Sequence, residues 1–266
     1  MHFIRLFGKN EKIMNYPHNI EIPMEKVKEL SSTNDYLSQL CKESKAKEFH
    51  TVITESQTAG KGQRGNHWES EPGKNLTFSI VLYPTALEVK KHFCLSMLAS
   101  LSCIEALGAY TDGFAIKWPN DIYWHDKKIG GILIENELEG GYITQSILGI
   151  GLNINQEEFR SSAPNPISLK RILGTEADLQ EILSKVIHDI VGGYRQLEAN
   201  FNMTQLAIRT LYVKNLYRKK GFHPYRDKEG EFKAEFQKVE PDGRLVLKDE
   251  EGNLRHYTFK EIEFIL

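Results

Sequence analysis

The chain has 266 residues, of which 40% are hydrophobic and 26% charged, and its 34 basic and 36 acidic residues give a net charge of −2. This balance is typical of a globular protein and excludes an intrinsically disordered chain, which has fewer apolar residues and a more one-sided charge. The near-neutral charge also argues against a dedicated nucleic-acid-binding protein, because such proteins carry a marked basic excess. At about 150 residues per domain, the length predicts one main domain with a smaller second one.

No stretch of the sequence is typical of a membrane span or an export signal. The longest uncharged apolar stretch, residues 92–104, has 13 residues, whereas a spanning helix needs about 20. The first residues, MHFIRLFGKNEK, lack the apolar segment of a signal peptide. Cys41, Cys94 and Cys103 are odd in number and lack CxxC spacing, so they predict neither a disulfide framework nor a zinc site. We therefore expect a cytoplasmic protein that binds neither membranes nor nucleic acid.

Helix and strand patterns along the first 217 residues predict an α/β main domain. A helix is expected to begin at residues 31–35 (SSTND), whose hydroxyl and amide side chains can cap free backbone N–H groups. Further helices are predicted at residues 87–107 and across 176–217, where Gly192 and Gly193 divide the last pattern in two. Apolar and β-branched runs predict strands at residues 51–54, 76–83, 114–118, 129–135 and 143–150.

From about residue 219 the pattern changes to short alternating runs, at residues 232–236, 245–247 and 256–259. The turns between them, which contain Asp242-Gly243 and Gly252-Asn253, are typical of β-hairpins. The sequence therefore predicts a main domain over residues 1–217 and a small barrel-like β module over 218–266.

A glycine-rich segment, residues 60–65 (GKGQRG), matches the letters of a dinucleotide-binding motif. Such a motif opens a helix, but Pro72 and Gly73 follow here and a strand comes next. A protein kinase is excluded as well, because its HRD and DFG motifs are absent. The segment is instead predicted to be a loop that binds an anion through backbone N–H groups and basic side chains. A solvated hairpin connection is the alternative.

Lys117 ends a predicted strand, immediately before the turn at Pro119, Asn120 and Asp121. Ligand sites in α/β folds gather at strand ends, and a lysine ammonium suits a carboxylate or a phosphate. An exposed lysine beside an ordinary turn is the alternative that this segment alone leaves open.

Five motifs, in this order, resemble those of biotin–protein ligases. They are residues 32–34 (STN), 57–68 (QTAGKGQRGNHW), 117–121 (KWPND), 128–135 (KIGGILIE) and 149–155 (GIGLNIN). The resemblance implies a mixed-sheet catalytic domain of the class II synthetase type, followed by a small C-terminal SH3-like β-barrel.

The resemblance also implies a two-step reaction. The carboxylate of biotin attacks the α-phosphate of ATP, giving biotinyl-5′-AMP and pyrophosphate, and a lysine of a biotin carboxyl carrier domain then takes the biotin. Mg²⁺ is implied as the cofactor that accompanies ATP. Because both first substrates are anions, the site needs fixed positive charge and N–H donors.

Site residues follow from the matched motif positions. Lys117 resembles the lysine that contacts carboxylate and phosphate oxygens, and Lys61 lies in the loop that closes over the ligands, so these two are the predicted catalytic residues. The predicted biotin- and ATP-binding residues are Ser32, Thr33, Asn34, Gln57, Gly60, Lys61, Gly62, Gln63, Arg64, Trp68, Lys117, Gly130, Gly131 and Asn153. No firm metal ligand is implied, and Asp121 is a candidate Mg²⁺ contact.

The glycine-rich loop departs from the family pattern GRGRxGR. Lys61, Gln63 and Asn66 occupy its arginine positions, and Arg64 lies one position after the second. Since a glutamine cannot neutralise phosphate, we expect Lys61 and Arg64 to retain the adenylate, or retention to be looser.

Only 31 residues precede the first motif, so we expect a monofunctional ligase without the winged helix-turn-helix that some family members carry. A lipoate ligase is a second hypothesis, although its RRxSGG-type motif is absent. A non-catalytic sensor of biotin or nucleotide is a third. A homodimer is an open alternative to a monomer.

Overall fold

The computed structural model describes residues 22–62, 67–160 and 165–265. Seven strands form one mixed sheet: β1 Met24–Leu30, β2 Thr51–Gln57, β3 Leu76–Leu82, β4 Phe114–Lys117, β5 Asp121–Trp124, β6 Lys127–Glu139 and β7 Tyr142–Leu152. Their order across the sheet is β1-β2-β3-β7-β6-β5-β4. β1 and β2 are parallel, and the other neighbouring strands are antiparallel.

The two faces of the sheet are covered by different helices. Helix α1, Thr33–Lys42, packs Leu37 against Val81 and Ile147 on one face. On the other face lies helix α2, Phe93–Leu107, whose residues are buried on almost every side, as expected for an apolar helix inside a protein. Helices α4, Leu179–Ala199, and α5, Phe201–Lys214, pack against α2. A short helix α3, Leu169–Leu173, precedes them.

Strand β3 lies in the buried middle of the sheet. All of its residues, LTFSIVL, are buried, as expected for a central strand covered on both sides. Its side chains alternate, so that Phe78 and Ile80 join the main core around α2 while Val81 joins the cluster around α1. Ser79 therefore lies on the α1 face, which is also the face that carries the candidate site.

The C-terminal residues form a separate five-stranded antiparallel sheet. Its strands are β8 His223–Asp227, β9 Gly230–Val239, β10 Leu245–Asp249, β11 Leu254–Tyr257 and β12 Glu263–Phe264, in the order β11-β10-β9-β8-β12. Trp118, which follows β4, donates its indole N–H to the carbonyl oxygen of Gly243 at 2.8 Å and so connects the two sheets. The α/β fold class with a C-terminal β module is confirmed, and the boundary between residues 217 and 218 stays a prediction.

Several predicted elements have different bounds. β1 and β5 were not expected from the sequence, and α2 begins at Phe93 after a 3-10 turn, Val89–Lys91. The predicted division at Gly192 and Gly193 is wrong, because α4 continues through both glycines. The helices separate at Asn200 instead, whose side chain accepts a hydrogen bond from the backbone N–H of Met203 and caps α5.

Within the described residues, we find no helix that combines the length and the apolar character needed to cross a membrane.

Candidate functional site

A cavity of about 720 Å³ opens on the α1 face of the large sheet. Its wall combines the start of α1, the glycine-rich loop, the turn between β4 and β5, the glycines of β6 and β7, and β12 of the C-terminal sheet. Most of the predicted site residues meet here: Ser32, Thr33, Asn34, Gln57, Lys61, Gly62, Trp68, Lys117 and Gly131 line the cavity, together with Asp121.

The wall near the start of α1 is a connected set of polar side chains. Ser32 caps α1 by accepting from the backbone N–H of Asp35, which fixes the position of the next two residues. The backbone N–H of Thr33 donates to Gln57 Oε1 at 2.8 Å. Because Gln57 Oε1 is engaged in this way, the Nε2 amino group is the part of the side chain that can meet a ligand.

Asn34 is held by protein partners on both sides of its amide. Its Nδ2 donates to Glu135 Oε2 at 2.7 Å, and its Oδ1 accepts from the hydroxyl of Ser79 at 2.6 Å. The Ser79 hydroxyl also lies 2.7 Å from Thr33 Oγ1. Asn34 therefore holds the start of α1 against strands β3 and β6, and in this way positions the polar wall. Sequence reasoning missed Ser79 and Glu135, which only the packing of α1 on the sheet brings to the site.

Two glycines of β7 make room for the residues that cover them. A Cβ atom on Gly149 would lie 2.3 Å from Asn34 Oδ1, and one on Gly151 would lie 2.4 Å from Cε2 of Trp68. Neither position tolerates a side chain unless its neighbour moves. No role was predicted for these glycines, although both lie in the motif at residues 149–155.

Two buried polar atoms beside Gly151 have no hydrogen-bond partner in the part of the chain that the structure describes. They are Nε1 of the Trp68 indole and Oγ1 of Thr77. Thr77 lines the cavity and pairs in register with Gly151 across the β3–β7 ladder. Because an unpaired buried polar group costs about 1–3 kcal/mol, an oxygen atom of a ligand that bonded to them would be favoured here.

Positive charge is concentrated at the turn between β4 and β5. Lys117 and Asp121 face one another across this hairpin, with Nζ 3.9 Å from Oδ2. Lys128 Nζ lies 2.6 Å from the other carboxylate oxygen of Asp121. Two ammonium groups thus share one carboxylate and leave a net positive charge in the cavity. Lys128 is a site residue that sequence reasoning missed, although it begins the motif at residues 128–135.

Lys117 lies in a largely enclosed position between two aromatic rings. Its side chain is 20% exposed, which rules out the alternative of a solvated lysine at an ordinary turn. Nζ lies 5.1 Å from the ring centroid of Tyr123 and 5.0 Å from that of Phe264. Burial lowers the pKa of Lys117, and the nearby cations Lys128 and Arg218 lower it further against the opposing effect of Asp121.

Lys61 lines the cavity but is paired with a residue of α1. Its Nζ lies 2.5 Å from Asp35 Oδ1, and this hydrogen bond raises the pKa of Lys61. The loop that carries it is closed by a backbone bridge between Lys61 and His67, and by a hydrogen bond from Trp68 N to the carbonyl oxygen of Gly60. The catalytic role of Lys61 stays a prediction. Gln63 and Arg64, which belong to the same loop, lie outside the described residues.

Three predicted site residues do not line the cavity. Gly60 lies behind Gln57 and Trp68, where an added Cβ would meet Trp68 O at 2.6 Å. Gly130 faces Leu152, because successive strand residues point to opposite faces and only Gly131 points to the cavity. Asn153 is buried and donates its Nδ2 to the carbonyl oxygen of Ile167. The prediction that Gly130 forms part of the pocket wall is therefore wrong.

Asp121 is a poor candidate for a preformed metal site, because its carboxylate is already paired with Lys128 and faces Lys117. Across residues 22–62, 67–160 and 165–265, no group of three or more His, Cys, Asp or Glu side chains is arranged to hold a metal ion.

Residues 27–153 match the model of the biotin/lipoate A/B protein ligase family. The chain is 37% identical over 132 residues to the bifunctional ligase/repressor BirA of Bacillus subtilis, which covers 48% of this chain and 39% of the relative. It is 33% identical over 141 residues to the biotin–[acetyl-CoA-carboxylase] ligase of Paracoccus denitrificans, which covers 50% of this chain and 57% of the relative. The matched region thus spans 39–57% of the length of these two curated relatives.

Likeness to a solved structure extends much further along the chain. The biotin protein ligase of Aquifex aeolicus, solved in complex with biotin and ATP, has a TM-score of 0.74 and 26% sequence identity, and the match covers 91% of this chain and 97% of that one. Residues 27–153 therefore match the biotin/lipoate A/B protein ligase family, and the chain shares its fold with the biotin protein ligase of Aquifex aeolicus.

Proposed function

We propose that this chain is a biotin–protein ligase, which activates biotin with ATP and transfers it to a lysine of a biotin carboxyl carrier domain. The proposal rests on one cavity, which joins the polar wall of Thr33 and Gln57 to the cationic group of Lys117 and Lys128. A polar wall can hold the uncharged head of biotin, and the ammonium groups can hold its carboxylate and the phosphates of ATP. The Aquifex aeolicus relative, solved with biotin and ATP, supports this choice of ligands.

The first step forms the adenylate. A carboxylate oxygen of biotin attacks the α-phosphorus of ATP, the bond between that phosphorus and the bridging oxygen to the β-phosphate breaks, and pyrophosphate leaves. Since both reactants are anions, the ammonium groups of Lys117 and Lys128 reduce their repulsion and stabilise the charge on the phosphate oxygens. Asp121 holds Lys128 by a short ion pair and so fixes this charge before substrates bind.

The second step transfers biotin to the acceptor. The uncharged amine of a carrier lysine attacks the acyl carbon of the mixed anhydride, the bond from that carbon to the phosphate oxygen breaks, and AMP leaves while the nitrogen loses a proton. No nucleophile of the enzyme is needed, because both nucleophiles belong to substrates. The unpaired Trp68 Nε1 and Thr77 Oγ1 can bond to an oxygen of the adenylate and retain it between the steps.

Mg²⁺ is proposed to enter with ATP, held by phosphate oxygens, which is the usual way in which this ion binds at nucleotide sites. The pairing of Asp121 with Lys128 does not fit a site that the protein builds for the metal. Lys61, Gln63 and Arg64 are proposed to bind the adenylate, and Asn153 to lie near the nucleotide.

Pyrophosphate release tests the first step directly. With Mg·ATP, we expect release that depends on biotin and is not supported by lipoate. Lys117→Ala should lower the rate by about 10²- to 10³-fold, the scale for losing one preorganised electrostatic group. Lys26→Ala, which removes a lysine that is 68% exposed on β1, is the matched control and should leave the rate unchanged.

Other results would point to the other hypotheses. Release that depends on lipoate would indicate a lipoate ligase. Binding of biotin and ATP without any release would indicate a sensor. A Lys117→Ala variant within about threefold of the parent would refute the role given to Lys117.

A further inference from the structure

Part of the cavity wall comes from the C-terminal sheet. Ile262, Glu263 and Phe264 line the cavity, although all other strands of that sheet lie outside it. The two residues of β12 pair antiparallel with β8, so that Phe264 lies opposite Tyr225. This pairing brings the ring of Phe264 within 5.0 Å of Lys117 Nζ.

The orientation of the Phe264 ring is fixed by its neighbours. Tyr225 meets it edge-on, with centroids 5.0 Å apart and planes at 77°, and Tyr217 stacks on it at 6.5 Å. Arg218 donates from Nη2 to the carbonyl oxygen of Ile265 at 2.6 Å, which fastens the backbone immediately after the ring. Phe264 therefore packs in a defined orientation as part of the cavity wall.

The ammonium of Lys117 is held by ring faces and not by hydrogen bonds. Its nearest carboxylate oxygen, Asp121 Oδ2, is 3.9 Å away, beyond hydrogen-bond distance. Within the described ranges, no hydrogen bond runs from Nζ to a protein acceptor. Tyr123 and Phe264 place their rings at 5.1 and 5.0 Å, inside the range of cation–π attraction. The N–H donors thus stay available to substrate oxygens while the side chain is held in place.

We propose that Phe264 is a positioning residue: with Tyr123 it clamps the ammonium of Lys117 and leaves its N–H groups free for the carboxylate and phosphate oxygens that react. The C-terminal sheet would then complete the catalytic site through this ring. The inference rests on the proposed function for its substrates, but the clamp itself is a property of the ligand-free protein.

The pKa of Lys117 is the quantity that reports on the contact with the two rings. Among the described residues, the charges that act on Lys117 are those of Asp121 of β5, Lys128 of β6, Arg218 after α5 and Glu263 of β12. The ionisable rings packed around Lys117 and Phe264 are Tyr123, Tyr217 and Tyr225, and Lys260 lines the same cavity. Ring faces stabilise the charged form, whereas burial opposes it. Two substitutions of Phe264 should therefore move the pKa of Lys117 in opposite directions.

The test measures that pKa in ligand-free protein, by trace acetylation across a pH series and mass spectrometry after cleavage at acidic residues, with Lys26 as the internal reference. Phe264→Leu keeps the apolar cover but loses the ring, so the pKa of Lys117 should fall, by about 0.4–1.5 units for a cation–π contact of about 0.5–2 kcal/mol. Phe264→Ala admits water, so the pKa should rise towards the usual lysine value. Phe264→Tyr keeps the ring and should restore the parent value.

Phe232→Leu is the matched control. Phe232 is a half-buried ring of the same sheet that packs on Tyr225 and contacts the cation of Arg255, but it does not line the cavity. Its loss should leave the pKa of Lys117 unchanged. In the pyrophosphate assay, Phe264→Leu should lower the rate about 2- to 30-fold, and Phe264→Tyr and Phe232→Leu should stay within about twofold of the parent.

An unchanged or raised pKa of Lys117 in Phe264→Leu would overturn the proposal, and so would a fall of equal size in Phe232→Leu. If Phe264→Ala does not fold, the comparison of Phe264→Leu with the parent and Phe264→Tyr decides between the two outcomes. Failure of the proposed function is a distinct result, because it appears as absent biotin-dependent release by the parent protein, whereas the titration uses no substrate.

Discussion

The indole of Trp68 lies so close to Gly151 that a Cβ atom on the glycine would stand 2.4 Å from Cε2 and 2.7 Å from Nε1 of the ring. The ring therefore occupies the space that the side chain of any residue other than glycine would need at position 151. The contact ties the end of the glycine-rich loop to the sheet and sets where the indole faces the cavity. The ring can take this position only because residue 151 is a glycine.

Gly151→Ala should lower adenylate formation by at least about tenfold, corresponding to about 1.4 kcal/mol in the transition state, because the methyl group displaces the Trp68 indole. Stability should change little, since the half-buried ring can move towards the cavity. Gly192→Ala is the matched control: a Cβ atom added to this residue of α4 would have no atom within 4 Å, and alanine favours a helix by up to about 1 kcal/mol. Equal activity of the two variants in the pyrophosphate assay would contradict the role given to Gly151.

Alkaline pH should reduce adenylation through Lys117. Burial lowers the pKa of this lysine, and the reaction needs its charged form, so kcat/KM should fall as the pH rises through a value below that of an ordinary lysine. Lys117→Arg keeps its charge throughout this range and should remove that alkaline limb, at a lower overall rate. An alkaline limb that is identical in both proteins would assign the titration to another group.

Thr77→Val should weaken retention of the adenylate without loss of stability. The hydroxyl of Thr77 has no partner among the described residues, so its removal relieves an unsatisfied polar group in the free protein but removes a bond to the ligand. Dissociation of biotinyl-5′-AMP should be about 5- to 10-fold faster, by the usual worth of one hydrogen bond. Thr51→Val is the matched control, because its hydroxyl donates to the carbonyl oxygen of Phe49 at 3.0 Å. That variant should lose stability and keep the parent dissociation rate, and the reverse pattern would contradict the assignment.

A partly buried ion network should stabilise the C-terminal sheet. Arg255 Nε donates to Asp249 Oδ2 at 3.0 Å, and its Nη1 reaches Asp227 Oδ2 at 3.3 Å, which also accepts from the hydroxyl of Tyr257 at 2.7 Å. Arg255→Met should lower the melting temperature at pH 7 by roughly 3–8 °C, because it leaves two carboxylates without their cation. Arg226→Met, which removes a half-exposed arginine of the same sheet, should change it much less.

The same network should make stability depend on acidity. Burial raises the pKa of Asp227 and of Asp249, but hydrogen bonds from Tyr257 and Arg255 outweigh it, so both pKa values lie below the usual range. The stabilisation is therefore complete above the unfolded pKa of about 3.9 and is lost as the pH falls through the lower folded values. Arg255→Met should show a weaker loss of stability between about pH 4 and pH 2 than the parent. Parallel acid unfolding curves would contradict this.

The sequence predicted the parts of the fold that depend on local pattern. The capped start of α1 at Ser32 and the buried strand β3 follow from neighbouring residues alone. β1 was missed because the apolar residues of MEKVKEL recur at every third position, with two charged residues between them, and not in the alternation that is typical of a strand. Lying at the edge of the sheet, β1 pairs on one side only. The helix break was predicted at the wrong place because a glycine is tolerated inside a helix. Among the described residues, no atom lies close to Gly192 that would require a turn there, and α4 continues to Ala199, with Asn200 as its C-cap.

The sequence could indicate residues of the candidate site that lie within one motif, but not residues that only tertiary contacts bring to the cavity. The motif at residues 117–121 indicated Lys117, which lines the cavity. The pairing of Lys128 with Asp121, in contrast, depends on a register shift between Ile122 and Tyr123 in the β5–β6 ladder. Such a bulge has no reliable signature in a single sequence. Phe264 reaches Lys117 only because a two-residue strand pairs with β8, and no local pattern indicates that contact.

A complete turnover tests the proposed ligase activity as a whole. The protein is incubated with biotin, Mg·ATP and a biotin carboxyl carrier domain, and the intact mass of the carrier is measured, with lipoate replacing biotin in a parallel sample. We expect a gain of one biotinyl group that requires ATP and disappears when the target lysine of the carrier is replaced by arginine. A lipoyl gain, or an unmodified carrier despite bound biotin and ATP, would contradict the proposed function.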